Sequence, residues 1–196
     1  MTGVYGKELD TMQRALSEYA VAYLSYLQST KEIRETYNAI AQTKALEGAN
    51  AALNAVRSTS ADKIVAAATA LEERIIAMWT PNPTLYKRDV IAMLQDGLLK
   101  YDAEAIETMA RDRYADNPTM LQALRGYLDS HDLIKEMKSD SILRYASKGQ
   151  KIGATEELKN ELLGILKSSQ SAEAVKYAAD NFEATFAYRL NIIGQI

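Results

Sequence analysis

The sequence predicts an all-α protein. We expect an elongated helical bundle built on a long N-terminal helical hairpin and the C-terminal helix, with a middle appendage of short helices. Apolar residues recur at alternating steps of three and four, the spacing of one face of an α-helix. No segment alternates with a period of two for long enough to indicate a strand. Three prolines and nine glycines in 196 residues, with 47% hydrophobic residues, are typical of an ordered, helix-rich chain.

The longest periodic pattern begins at Leu9 and contains several tyrosines. Its positions, called the aromatic stripe below, are Leu9, Met12, Leu16, Tyr19, Tyr23, Tyr26, Thr30, Ile33, Tyr37 and Ile40. The pattern then shifts phase and resumes as Leu46, Ala49, Leu53 and Val56. The register favours a helix that continues through Ser29, and two alternatives stay open for the whole stretch: one continuous helix to Val56, or a bend near Ser29 or Gly48. Ser29 and Glu32 have the spacing of a capping box, but the register runs through them unchanged.

A polar segment, Arg57-Ser58-Thr59-Ser60, favours a tight turn after this helix, with Ser58 or Ser60 capping the next one. The second helix then carries Ile64, Ala68, Leu71, Ile75 and Met78 and ends at Trp79, before Thr80-Pro81. A turn at this place predicts an antiparallel hairpin. Residues equidistant from the turn should then face each other, as follows: Leu53 with Ile64, Ala49 with Ala68, and Leu46 with Leu71.

Residues 81–153 form the predicted appendage of short helices. Asparagine before proline at Asn82-Pro83 and Asn117-Pro118 is a helix-start signal, and Asp102 is a further N-cap. The helices predicted from these signals and from the apolar spacing are Pro83–Gln95, Ala103–Tyr114, Pro118–Leu128 and Asp132–Ser147. Gly149 and Gly153 predict an exposed loop over Lys148–Gly153.

The C-terminal segment, residues 154–196, predicts two helices. Thr155 is the predicted cap of the first and Ser171 that of the second. The last helix presents Phe182, Phe186 and Ile193, which we expect to cover Tyr19, Tyr23 and Tyr26. Residues 1–80, 81–153 and 154–196 would then form the hairpin, the appendage and the returning C-terminal helices of one structural unit.

Catalytic, metal and cofactor sites are not predicted. The chain has no cysteine and one histidine, His131, flanked by Asp129 and Asp132 in a spacing that matches no recurring metal signature. A Ser-His-Asp triad would need the same histidine, without the strand-turn-helix context of a nucleophile. We therefore expect a protein that is not an enzyme and that needs no cofactor.

Charge and hydropathy limit the classes of partner. The net charge of −3 is spread evenly along the chain, so nucleic acid is an improbable partner. The alternative function is nucleic-acid association through a modest basic face, formed by Lys135, Lys138, Arg144, Lys148 and Lys151. The chain contains neither an apolar run of membrane-spanning length nor a recognisable signal peptide, which predicts a cytoplasmic protein without a membrane partner. The alternative is the mature form of a secreted protein, which would show the same pattern once its signal peptide was removed.

The twelve tyrosines are the distinctive feature of the composition. Tyr19, Tyr23, Tyr26 and Tyr37 lie on the aromatic stripe, where one interpretation is a core packed against small residues. The other is a partner-binding face, since tyrosine is enriched where an apolar surface meets water. We predict a protein–protein interaction protein, a subunit, adaptor or chaperone of a larger assembly. Part of the stripe would bind a protein partner or a second copy.

Overall fold

A computed structural model describes residues 4–96, 101–138, 141–168 and 170–194. These residues form α helices and one short 3-10 helix, without a strand, so the predicted all-α class is confirmed. The helices are α1 (Gly6–Thr36), α2 (Ala39–Trp79), α3 (Arg88–Gln95), α4 (Ala103–Tyr114), α5 (Pro118–Ser130), α6 (Lys148–Lys167), α7 (Ala172–Asp180), α8 (Phe182–Thr185) and α9 (Ala187–Gly194). The 3-10 helix spans Leu133–Glu136.

The N-terminal hairpin is present, but its turn lies at Tyr37–Asn38. The two helices run antiparallel. The Gln42 side chain donates to the Arg34 carbonyl at 3.2 Å, and Lys63 contacts Glu18 at 2.5 Å further from the turn. Tyr37 is extended after α1, and the Asn38 side chain accepts from Ala41 N at 3.1 Å, as an N-cap does. The stretch from Leu9 to Val56 is therefore not one continuous helix, although the register favoured continuity. Neither Ser29 nor Gly48 is the break.

The predicted turn at residues 57–60 is also wrong, because α2 passes through it without interruption. The segment contains neither glycine nor proline, and the Thr59 hydroxyl donates to the Ala55 carbonyl at 3.0 Å, which a helix accommodates. Ser60 is buried inside the helix and caps nothing. The two apolar patterns thus join into one face of α2. Pairs such as Leu53 with Ile64 lie along that face instead of across a turn.

The chain divides into two compact units, residues 1–71 with 155–189, and residues 72–154 with 190–196. In the first unit, α1 packs against α7, as the predicted return of the C-terminal helices requires. The Gln13 side chain donates to the Ala179 carbonyl at 3.3 Å. Arg189 adds ion pairs to Glu157 at 2.9 Å and to Glu161 at 3.1 Å.

The C-terminal helices begin and end at other places than predicted. The predicted loop Lys148–Gly153 is helical, because α6 begins at Lys148, and Thr155 is therefore a buried residue within α6. Ser171 does cap α7, accepting from Ala174 N at 3.2 Å. The single last helix is instead three short helices, interrupted at Asn181 and again at Phe186.

The second unit contains α3, α4, α5 and the 3-10 helix. Asp102 and Asn117 cap α4 and α5, accepting from Ala105 N at 2.8 Å and from Met120 N at 3.1 Å. The predicted helix start at Pro83 is wrong, because Asn82 accepts from both the backbone and the hydroxyl of Thr84 and forms a local turn. The predicted helix Asp132–Ser147 is wrong over most of its length, since the described residues of this range form only the 3-10 helix. Residues 139 and 140 lie outside the described part of the chain.

Candidate partner-binding surface

The α1–α2 hairpin has two parts that differ in burial. We call residues 6–20 and 53–71 the hairpin base, and residues 21–52 the hairpin tip. In the base, Met12, Leu16, Ile64 and Leu71 are fully buried. In the tip, Thr30 is the only buried residue, and none of residues 31–52 is buried. The tip therefore consists of two helices that bury little beyond their contact with each other.

The short length of α7 explains why it covers only part of α1. A helix of nine residues is about 14 Å long, whereas the 31 residues of α1 extend about 46 Å. One short helix therefore covers only about a third of α1. The contact of α7 at Gln13 places that third in the base.

The four tyrosines of the predicted site lie in different environments. Tyr19 is 1% exposed, and the Arg57 guanidinium donates to its hydroxyl at 3.3 Å while lying 5.7 Å from its ring centroid. Tyr23 stacks on Tyr19 with centroids 5.8 Å apart, and Tyr26 follows Tyr23 at 6.4 Å; both are half-buried. Tyr37 is 52% exposed. The four rings thus pass from the core of the base to the surface of the tip.

Further apolar side chains of the tip are exposed to solvent. Ile40 is 88% exposed, Val21 64% and Leu27 40%. Ile40 belongs to the aromatic stripe, whereas Val21 and Leu27 do not, so the stripe alone did not identify them. The sequence does contain a signal that could have identified Leu27: it lies seven residues after Ala20 and therefore on the same side of α1.

The charges of the tip are balanced and differ in pairing from those of the base. The tip carries Lys31, Arg34 and Lys44 with Glu32, Glu35 and Glu47, for a net charge of zero. Among the described residues these six side chains form no ion pair with one another or with the base. In the base, Lys63 and Glu18 pair at 2.5 Å.

The predicted basic face is not one face of a helix. Lys151 is fully buried and donates from Nζ to the Ile192 carbonyl at 2.8 Å and to the Ile193 carbonyl at 3.2 Å. Its ammonium lies 4.9 Å from the Trp79 ring centroid, and burial lowers the pKa of Lys151 to about 8. Lys151 therefore stabilises the end of α9, and its assignment to an exposed face was wrong.

The other bases of that face lie on separate elements. Lys135 is in the 3-10 helix and pairs with Asp132, and Lys148 begins α6. Arg144 lies in the segment between the 3-10 helix and α6, and its guanidinium donates to the Met137 carbonyl at 2.9 Å.

His131 is exposed and makes local contacts. Its ring stacks on Tyr127 with centroids 4.1 Å apart, and its Nδ1 lies 2.9 Å from the Tyr127 carbonyl oxygen. Within the described ranges, no three His, Asp or Glu side chains are grouped as metal ligands.

A cavity of about 570 Å³ lies between α4 and the segment around Met137. Glu107 lines this cavity. Its carboxylate accepts three hydrogen bonds, from Ser141 Oγ, from Ile142 N at 3.2 Å and from Arg111 Nε at 2.8 Å. Glu107 thereby holds residues 141–142 against α4. The carboxylate oxygens of Glu107 are thus used as hydrogen-bond acceptors that stabilise the fold.

No protein family, curated protein or solved structure matches this chain. Of the helices in the described segments, none combines the length and the apolar character that crossing a membrane requires.

Proposed function

We propose that this protein is a non-enzymatic interaction protein, a subunit, adaptor or chaperone of a larger assembly, and that the hairpin tip binds its protein partner. One observation carries the proposal. The aromatic stripe continues past Thr30 as Ile33, Tyr37 and Ile40, yet none of residues 31–52 is buried. A helical face of this length that packs only against its neighbour exposes apolar area that a partner would remove from water.

The composition of the tip supports a protein as the partner. Tyr37 and Ile40 lie at the turn, where both are largely exposed, and Tyr23 and Tyr26 offer half-buried rings behind them. Aromatic residues contribute strongly to binding at protein interfaces. The zero net charge of the tip gives it no electrostatic attraction for a polyanion.

Two further observations favour binding over catalysis. The imidazole of His131 stacks on Tyr127 at the surface, and the described residues contain no group of three His, Asp or Glu side chains that could hold a metal ion. The carboxylate of Glu107 is occupied by three donors of its own chain. We place the interaction in the cytoplasm, the location that the sequence predicts.

Site-specific photo-crosslinking tests the proposal. A photoreactive phenylalanine analogue at Tyr37 should give a crosslinked product in the cells that make the protein. The ring at this position is exposed on the proposed surface, so the substitution should leave the helical circular dichroism spectrum and the melting temperature unchanged.

Tyr177 on α7 is the matched control, because it is 67% exposed and lies outside the tip. The same analogue at Tyr177 should give no product, or products unrelated to those from Tyr37. Equal crosslinking from the two positions, or none from Tyr37, would contradict the assignment of the tip as the binding surface.

A further inference from the structure

One row of residues on α1 is covered in the base and open in the tip. Gly6, Gln13, Ala20, Leu27 and Arg34 are spaced by seven residues, so they lie along nearly the same side of the helix. Gly6 and Ala20 are buried, and Gln13 binds α7. Leu27 is 40% exposed and Arg34 is exposed. The tip therefore continues a buried face without the helix that covers it.

The ion pair of the base identifies which α2 residues share this side. Glu18 and Lys63 meet on one side of the hairpin. Arg34 follows Glu18 by sixteen residues, and Glu47 precedes Lys63 by sixteen, which is about 4.4 turns in each case. Both therefore lie nearly half a turn from the ion pair, on the opposite side of the hairpin. Lys31, about 3.6 turns after Glu18, lies there as well.

The centre of this side of the tip thus carries two bases on α1 and one acid on α2, while Glu35 and Lys44 lie about a quarter of a turn away, at its margins. All three central side chains are exposed, and in the described part of the chain none of them forms an ion pair. Such a surface is complementary to itself, because a two-fold axis that places α1 of one copy on α2 of the other brings each acid to the opposite bases. The same symmetry places the two Leu27 side chains near the centre.

We propose that a second copy of this chain occupies this side of the tip and forms a two-fold dimer. Lys31 and Arg34 of each copy face Glu47 of the other, and the four tip helices form a bundle around Leu27 and Tyr23. The dimer rests on the proposed function, the binding of a protein partner by the tip, and identifies that partner as a second copy of the chain. The face measures roughly 24 Å by 20 Å, about 1,000 Å² for both copies together, which corresponds to a weak, concentration-dependent dimer.

Charge reversal with a mixing step tests the dimer. Sedimentation velocity of the full chain over a range of concentrations should show a monomer–dimer equilibrium. Glu47→Lys leaves only bases at the centre of this side, and Lys31→Glu with Arg34→Glu leaves only acids there. Each variant should dissociate at least tenfold more readily than the unaltered chain, whereas an equimolar mixture of the two should dimerise again. Restoration on mixing shows that each variant is folded and that the contact joins α1 to α2 of another copy.

Glu32→Lys is the matched control. Glu32 is exposed on α1 about 3.9 turns after Glu18, so it lies on the side of the ion pair. Its reversal should leave the dimerisation constant unchanged. A monomer at every concentration, a mixture that does not restore dimerisation, or an equal loss from Glu32→Lys would overturn the proposal.

The crosslink at Tyr37 distinguishes the failure of the dimer from that of the proposed function. A product of two identical chains agrees with the dimer, while a product with one different protein only would overturn the dimer and leave the binding role of the tip intact. Absence of any product, with a monomer in sedimentation, would overturn both.

Discussion

The hairpin base and the hairpin tip share one sequence pattern and differ in what covers it. In the base, Leu16 and Tyr19 are buried, and α7 lies against α1 at Gln13. In the tip, the same stripe continues through Tyr26 and Ile33, which are only half-buried. The comparison shows that periodicity determines which side of a helix is apolar. Whether that side becomes core depends on a segment elsewhere in the chain.

The largest expected difference between the two parts concerns leucine side chains. Leu16→Ala should lower the free energy of unfolding by about 2–5 kcal/mol, because the fully buried side chain leaves a cavity. Leu27→Ala should lower it by less than about 1 kcal/mol in the monomer, since the side chain is 40% exposed. Urea unfolding at low protein concentration measures both. Equal losses would mean that the tip is as tightly packed as the base.

Glutamate substitutions extend the comparison to the tyrosines. Tyr23→Glu should destabilise the monomer by about 1–3 kcal/mol, because the ring is half-buried and stacked on Tyr19 and a carboxylate in its place would lose this stacking and part of its hydration. Tyr37→Glu should change stability by less than about 0.5 kcal/mol. Thermal unfolding followed by circular dichroism distinguishes the two. If Tyr23→Glu proved as mild as Tyr37→Glu, the boundary between base and tip would lie nearer to Tyr19.

Replacing a buried serine of the base should raise the free energy of unfolding, whereas the preceding substitutions should lower it. Ser60 is fully buried, and its hydroxyl has no hydrogen-bond partner among the described residues. Ser60→Ala should therefore raise the free energy of unfolding by about 1 kcal/mol, because it removes a desolvated polar group and favours the helix. The exposed Ser25 of the tip is the control, for which alanine should add only the helix-propensity gain of a few tenths. A loss of stability in Ser60→Ala would indicate that its hydroxyl is satisfied in solution.

An effect of similar size distinguishes two tyrosine hydroxyls. Tyr19→Phe should lower stability by about 0.5–1.5 kcal/mol, because it removes the acceptor for the part-buried guanidinium of Arg57. Tyr26→Phe should be close to neutral, since no hydrogen bond to its hydroxyl is formed in the described structure. Chemical unfolding of the two variants side by side provides the measurement. A neutral Tyr19→Phe would show that Arg57 does not depend on this hydroxyl.

Local signals in the sequence predicted the parts of the fold that depend on neighbouring residues. Asp102, Asn117 and Ser171 were predicted as N-caps, and each accepts the expected backbone hydrogen bond. The end of α2 at Trp79, before Thr80-Pro81, was also predicted. These features depend on hydrogen bonds and backbone geometry within a few residues, so the sequence is sufficient for them.

The failed predictions involve segments whose local signals are weak or ambiguous. Serine and threonine at residues 57–60 are compatible with both a turn and a helix, and packing of α2 on α1 favours the helix. The glycines at 149 and 153 suggested a loop, but α6 tolerates both. Asn38 caps α2, although the stripe continues past it to Ile40. An unbroken apolar register therefore does not guarantee an unbroken helix.

The sequence by itself determined the helical class, the caps at Asp102, Asn117 and Ser171 and the apolar side of each long helix, because these follow from residue type and spacing. Only the tertiary structure decided that Tyr19 is core while Tyr37 is surface, and that Lys151 is buried beneath Trp79 instead of exposed. Burial requires a partner surface, and here that surface comes from distant segments: α7 for the base and the end of α9 for Lys151. Where no such segment arrives, as at residues 31–52, the same apolar pattern remains open to another molecule.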